Sequence, residues 1–61
     1  MFIEISYYCP KCGEHKLIRL GNEDIPIETL KFDAEIKGFL CPACGIKITG
    51  IEPKDYKILE L

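Results

Sequence analysis

No stretch of this sequence stays apolar long enough to cross a bilayer, which takes about 20 consecutive apolar residues. That absence excludes a helical membrane span. Met1 to Tyr8 lack a basic opening and a long apolar run, and Glu4 interrupts them. Nothing there resembles a secretory leader, so a soluble, cytoplasmic protein is expected. A basic stripe interleaved with aromatics is missing too. Ten acidic residues against eight basic ones give a net charge of −2, which argues against nucleic acid as the obvious partner. No Ser/His/Asp set and no paired carboxylates stand out, and a non-enzyme is expected. No linker or low-complexity tract divides the chain, so residues 1–61 read as a single domain.

What the sequence does have is four cysteines, all held in two near-identical pentapeptides. These are Cys9-Pro10-Lys11-Cys12-Gly13 and Cys41-Pro42-Ala43-Cys44-Gly45. Two Cys-x-x-Cys hooks are what a structural zinc ion asks for. Proline presets the turn, glycine allows the left-handed backbone after the second sulfur, and turn amides then point back at the thiolates. Cys9, Cys12, Cys41 and Cys44 are therefore the candidate metal ligands. The same four sulfurs can also hold iron, in a rubredoxin-type or [4Fe–4S] site, and sequence alone does not separate the two metals, but zinc is the expected ion and iron the lesser alternative. A disulfide framework suits a secreted chain, and a thioredoxin-like pair needs a longer scaffold; neither fits here.

Length explains the need for a metal. A chain of about 60 residues buries only about 60% of its unfolded surface, and its core supplies about 3–5 kcal/mol. A structural zinc contributes an apparent ~10–16 kcal/mol coupled to folding, so the metal is expected to decide whether the chain folds.

Hydrophobic alternation predicts mostly strands. Ile3, Ile5 and Tyr7 alternate with Glu4 and Ser6 and lead into the first hook. Lys16 to Leu20 predicts a second strand, and Gly21 to Asp24 a turn. Pro26 marks an edge or a bend. Leu30, Phe32, Ala34 and Ile36 against Lys31, Asp33, Glu35 and Lys37 give the cleanest alternation, predicting the strongest strand. Gly38 then breaks the parity, as a bulge would. Ile46 to Ile48 predicts another short strand. For the last residues, Thr49 and Glu52 form a capping-box pattern that predicts a short helix carrying Ile51, Ile58 and Leu61 on one face. The competing assignment is a turn at Pro53–Asp55 and an edge strand from Tyr56. The expected fold is a zinc ribbon: two CPxCG knuckles facing each other across one ion, borne on a small antiparallel sheet.

The hooks, together with Asp24-Ile25-Pro26 and Gly38-Phe39-Leu40 before the second hook, resemble the YgiT-type zinc finger. That finger is the N-terminal half of MqsA-type antitoxins, and the likeness spans about Tyr8 to Asp55. It implies zinc at Cys9, Cys12, Cys41 and Cys44 in a structural role, and a module that docks a cognate toxin. The helix-turn-helix half of those antitoxins has no counterpart in these residues, so the resemblance does not imply repression.

His15 reads as a surface residue flanking the hook, since four cysteines already fill a tetrahedral site. Glu23-Asp24 resembles the acidic pair of transcript-cleavage zinc ribbons. Leu20-Gly21-Asn22, however, stands where those carry Gln and Arg-Ser, and a structural turn is expected. Of Tyr7 and Tyr8, one is expected to pack inward and the other to shield the metal. Lys11, Lys16 and Arg19 read as a solvated face. The expected function is a protein-interaction module whose acidic insert, Glu23 to Glu35, meets a protein partner, as a monomer or homodimer. The alternative is an accessory ribbon of transcription or translation that binds nucleic acid.

Overall fold

The computed structural model describes residues 1–60. Its centre is strand β1, Phe2–Cys9, which pairs antiparallel with β2, Glu14–Gly21, on one side and β5, Tyr56–Leu59, on the other. Alternation decides what β1 buries. Ile3, Ile5, Tyr7 and Cys9 face inward, while Ser6 and Tyr8 face solvent. The first metal-ligand candidate is thus in phase with the core, and the strand delivers its sulfur to the inside.

On the opposite face Glu4 stands across from Arg19 of β2 and Lys57 of β5. Its carboxylate lies 3.1 Å from Arg19 Nε and 3.4 Å from Lys57 Nζ. The Arg19 hydrogen bond, more than the Lys57 charge, holds the Glu4 carboxyl below the usual carboxylate range, against a smaller opposing effect of burial. One residue therefore ties all three strands at a single level of the sheet.

The turn after β2 forms as its composition predicts. Asn22 Oδ1 accepts from the amides of Asp24 at 2.8 Å and Ile25 at 3.1 Å, the side-chain turn that asparagine favours. Pro26 then caps a helix, not a strand edge. Helix α1 spans Ile27–Phe32 and runs on as a π-helical turn, Asp33–Lys37. This overturns the strand expected from Leu30 to Ile36. Glu, Leu, Lys and Ala are strong helix formers, Glu28 lies in the first turn and Lys37 in the last, as the helix dipole favours. In helical geometry Leu30 and Ala34 stack four apart and are buried at 2% and 0% exposure. Phe32 and Ile36 fall on another side, at 55% and 68% exposure. Period-two alternation in sequence has become two apolar helix faces, one packed and one bare.

Gly38 ends the helical segment and forms no bulge. Its amide donates to Asp33 O at 2.8 Å, and its backbone adopts φ 81° and ψ 178°, a region open essentially to glycine alone. A second, two-stranded sheet follows, pairing β3, Phe39–Leu40, with β4, Lys47–Ile48. The expected single sheet is thus two.

The expected C-terminal helix is replaced by the competing assignment. Pro53–Asp55 make one 3-10 turn and Tyr56–Leu59 the edge strand β5. The capping box lies three residues later than the sequence suggests, with Glu52 N donating to Asp55 Oδ2 at 3.1 Å. Ile51 is buried and Ile58 is 39% exposed; Leu61, expected on their helical face, lies outside the described residues. The core joins Ile3, Ile5 and Tyr7 to Leu30, Ala34, Ile48 and Ile51, with Cys9 and Cys41 at one end. No described helix is long and apolar enough to cross a membrane.

Two outcomes follow. Gly38→Ala should lower unfolding free energy by about 1–3 kcal/mol in urea melts, because an added Cβ would lie 2.5 Å from Ile48 O as well as straining φ. For Glu4, a depressed carboxyl contributes stability that is present above its unfolded value and lost as pH falls through its lowered folded value. Glu4→Gln should therefore flatten the acid limb of the stability–pH curve, measured by thermal melts on the metal-loaded protein.

Candidate metal centre

The four cysteines meet in space. Their sulfurs all lie within 4.8 Å of one another, and Cys9 Sγ is 3.4 Å from Cys44 Sγ. Four sulfurs set tetrahedrally about 2.3 Å from a metal ion lie about 3.8 Å apart, so the spacing suits one ion. No disulfide joins any of them. Cys9 and Cys41 are buried, while Cys12 and Cys44 are partly exposed.

The two hooks build the cluster in the same way. Gly13 N donates to Cys9 O at 2.7 Å, and Gly45 N donates to Cys41 O at 2.8 Å. Both glycines have positive φ, 73° and 79°, which lets the chain turn away after the second sulfur. In the first hook Cys12 N points back at Cys9 Sγ, 3.4 Å away. The first hook hangs on β1, and the second lies between β3 and β4, where Cys41 N donates to Ile46 O at 2.8 Å.

Tyr7 is the neighbour that sequence reading undervalued. Its hydroxyl donates to Cys41 Sγ at 3.5 Å, and Phe39 packs edge-on against its ring at 5.1 Å. The inward-packing role and the sulfur-facing role expected of two tyrosines both fall to Tyr7. Tyr8 instead is half exposed and lies against His15, centroids 5.1 Å apart. The signal was available: Tyr7 precedes Cys9 by two residues on a strand, so both point to one face. His15 lies on the surface and outside the sulfur cluster, as expected.

The electrostatics favour a cation at the centre. The Tyr7 hydroxyl, aided by the Cys44 and Ala43 amides, lowers the Cys41 thiol to about 6 despite burial. Reciprocally, the bond to Cys41 and burial push Tyr7 up to about 12. Crowding by the Cys9 and Cys44 sulfurs pushes Cys12 up to about 12. One thiolate is thus welcome and further ones repel each other, the situation that a bound dication resolves. Lys16 adds a positive charge nearby, although its main partner is Glu14, at 2.8 Å.

The expected solvated face is partly neutralised. Lys16 pairs with Glu14 and Arg19 with Glu4, leaving Lys11 as the exposed lysine of that group with no ion pair among the described residues. Comparison with protein-family models, with curated proteins and with solved structures finds no match.

Metal-loaded protein should contain one ion per chain by elemental analysis, and Cys41→Ser should lose it. Tyr7→Phe should keep the fold, since the ring remains, yet weaken metal affinity about tenfold in chelator competition, the loss typical of a missing hydrogen bond to a ligand atom.

Proposed function

We propose that this chain is a structural-zinc ribbon whose two CPxCG knuckles hold one zinc ion through Cys9, Cys12, Cys41 and Cys44, and that it serves as a protein-interaction module. Bound there, zinc would supply a cross-link between β1 and the β3–β4 hairpin, with no chemical step assigned to it. Four protein sulfurs leave no coordination position for a substrate, which supports a non-enzymatic role. The resemblance to the YgiT-type finger points the same way, towards docking of a protein partner in an antitoxin-like manner.

The observation that carries the reading is the bare side of the insert. Phe32 and Ile36 expose 55% and 68% of their surface, on a helix whose other side is anchored by Leu30 and Ala34. Neighbouring exposed large apolar groups mark contact surfaces more often than isolated ones do. Exposed Glu28 and partly exposed Asp33 flank them, with exposed Lys31 and Lys37 on the same segment, so the rim carries charges of both signs. Glu35 belongs to the fold, because Tyr56 Oη donates to its carboxylate at 2.9 Å. Nucleic acid as partner has less support, since Lys16 and Arg19 are already matched by carboxylates.

In pull-down with crosslinking, the partner should map to residues 28–36. Phe32→Ser with Ile36→Ser should abolish capture, while reversal of Glu28 and Asp33 to lysine should weaken it about tenfold or more. Unchanged capture by both variants, or salt-dependent binding of RNA or DNA in its place, would overturn the reading.

A further inference from the structure

The geometry points to a second binding site, a groove along the upper edge of β1 that takes an extended, cationic peptide segment of a partner as an added strand. β1 runs from Phe2 to Cys9, but β5 pairs with it only as far as Ile5. Beyond Ile5 the strand keeps β2 on one side and, among the described residues, has no strand on the other. In an antiparallel strand, alternate residues direct their backbone groups to opposite edges. Cys9 faces β2, since its carbonyl takes the Gly13 amide at the hairpin turn. Tyr8 therefore faces the other edge, where the β5 pairing does not reach it and no turn or loop backbone bond engages it among the described residues.

That edge opens into a groove of about 350 Å³, with Ser6 and Tyr8 on one wall and Thr49, Gly50 and Ile51 on the other. The volume lies in the ~300–1,000 Å³ range of ligand sites. A sheet edge with an unpaired residue beside a groove is the arrangement that β-strand addition uses: backbone bonds supply affinity and alternate side chains supply selection. A single added residue opposite Tyr8 would exchange both of its hydrogen bonds with the strand, continuing the ladder that β5 begins. The charge preference comes from Asp55, which lines the groove while no lysine or arginine does; its Oδ2 also accepts the Glu52 amide. His15, formally neutral at pH 7, is the other charge-bearing side chain there besides tyrosine. The site shares no residue with the Phe32–Ile36 face, so it stands or falls separately from the docking role proposed for the insert.

The test uses the metal-loaded protein and the acetylated, amidated peptide Thr-Val-Lys-Val-Thr, followed by amide NMR and hydrogen exchange. Before peptide is added, the Tyr8 amide should exchange at least about tenfold faster than the Tyr7 amide, which faces β2. Peptide should shift the amides of Ser6–Tyr8 and Thr49–Ile51 and slow Tyr8 exchange by about tenfold. The same peptide methylated at every backbone nitrogen should do neither, and a Lys→Glu version should bind several-fold more weakly. Equal protection of Tyr7 and Tyr8 without peptide would overturn the proposal, because the edge would already be satisfied. Shifts confined to residues 28–36 would overturn it as well. So would Tyr8 protection that rises with protein concentration alone, which would assign the groove to a second copy of the chain.

Discussion

Convergence of four sulfurs is the constraint on which the rest of this structure depends. It joins the end of the central strand to a hairpin some thirty positions later in the chain (Cys9 to Cys44, sequence separation 35). Without it, the three-stranded and two-stranded sheets are held together by a small core in which few side chains are fully buried. Apolar burial over about 60 residues supplies only about 3–5 kcal/mol, a thin margin for holding two sheets together. Both hooks reach the centre from elements that also pack inward, so the cluster and the core share residues. Cys9 and Cys41 are counted among the core side chains themselves.

Tyr7 makes that sharing explicit. It extends the Ile3–Ile5 row, contacts Phe39 from the second sheet, and donates to a cysteine sulfur. Packing fixes its ring, and the ring fixes where the hydroxyl points. A phenol donor aimed at a sulfur favours the anionic form of that sulfur, as the lowered Cys41 value reflects. Core order and the electrostatics of the centre are in this way set by one side chain.

The parts legible in the sequence were those fixed by local chemistry. The hooks announced their turns through Pro and Gly, β1 and β2 through alternation, and the Asn22 turn through its side chain. The segment from Leu30 to Ile36 was misread because alternation over so few residues fits both a strand and a helix with two apolar sides. Propensity and charge placement at Glu28 and Lys37 favoured the helix, and Leu30 stacked on Ala34 settled it. Residues 49–59 were ambiguous for a related reason, since two capping-box patterns overlap there and only strand pairing with β1 selects the later one. Tyr7 could have been placed at the centre by counting two back from Cys9. Its bond to Cys41 could not, because that depends on how the two sheets pack.

The two-sided helix also divides the selective pressures on a short run of sequence. Leu30 and Ala34 answer to folding, whereas Phe32 and Ile36, two positions along in each case, are not held by the core at all. In a lineage that lost the contact proposed for the bare side, drift would turn the second pair polar while the first stayed apolar. The alternation would then decay into a plain amphipathic helix, and descendants would be easier to fold on paper than their ancestor.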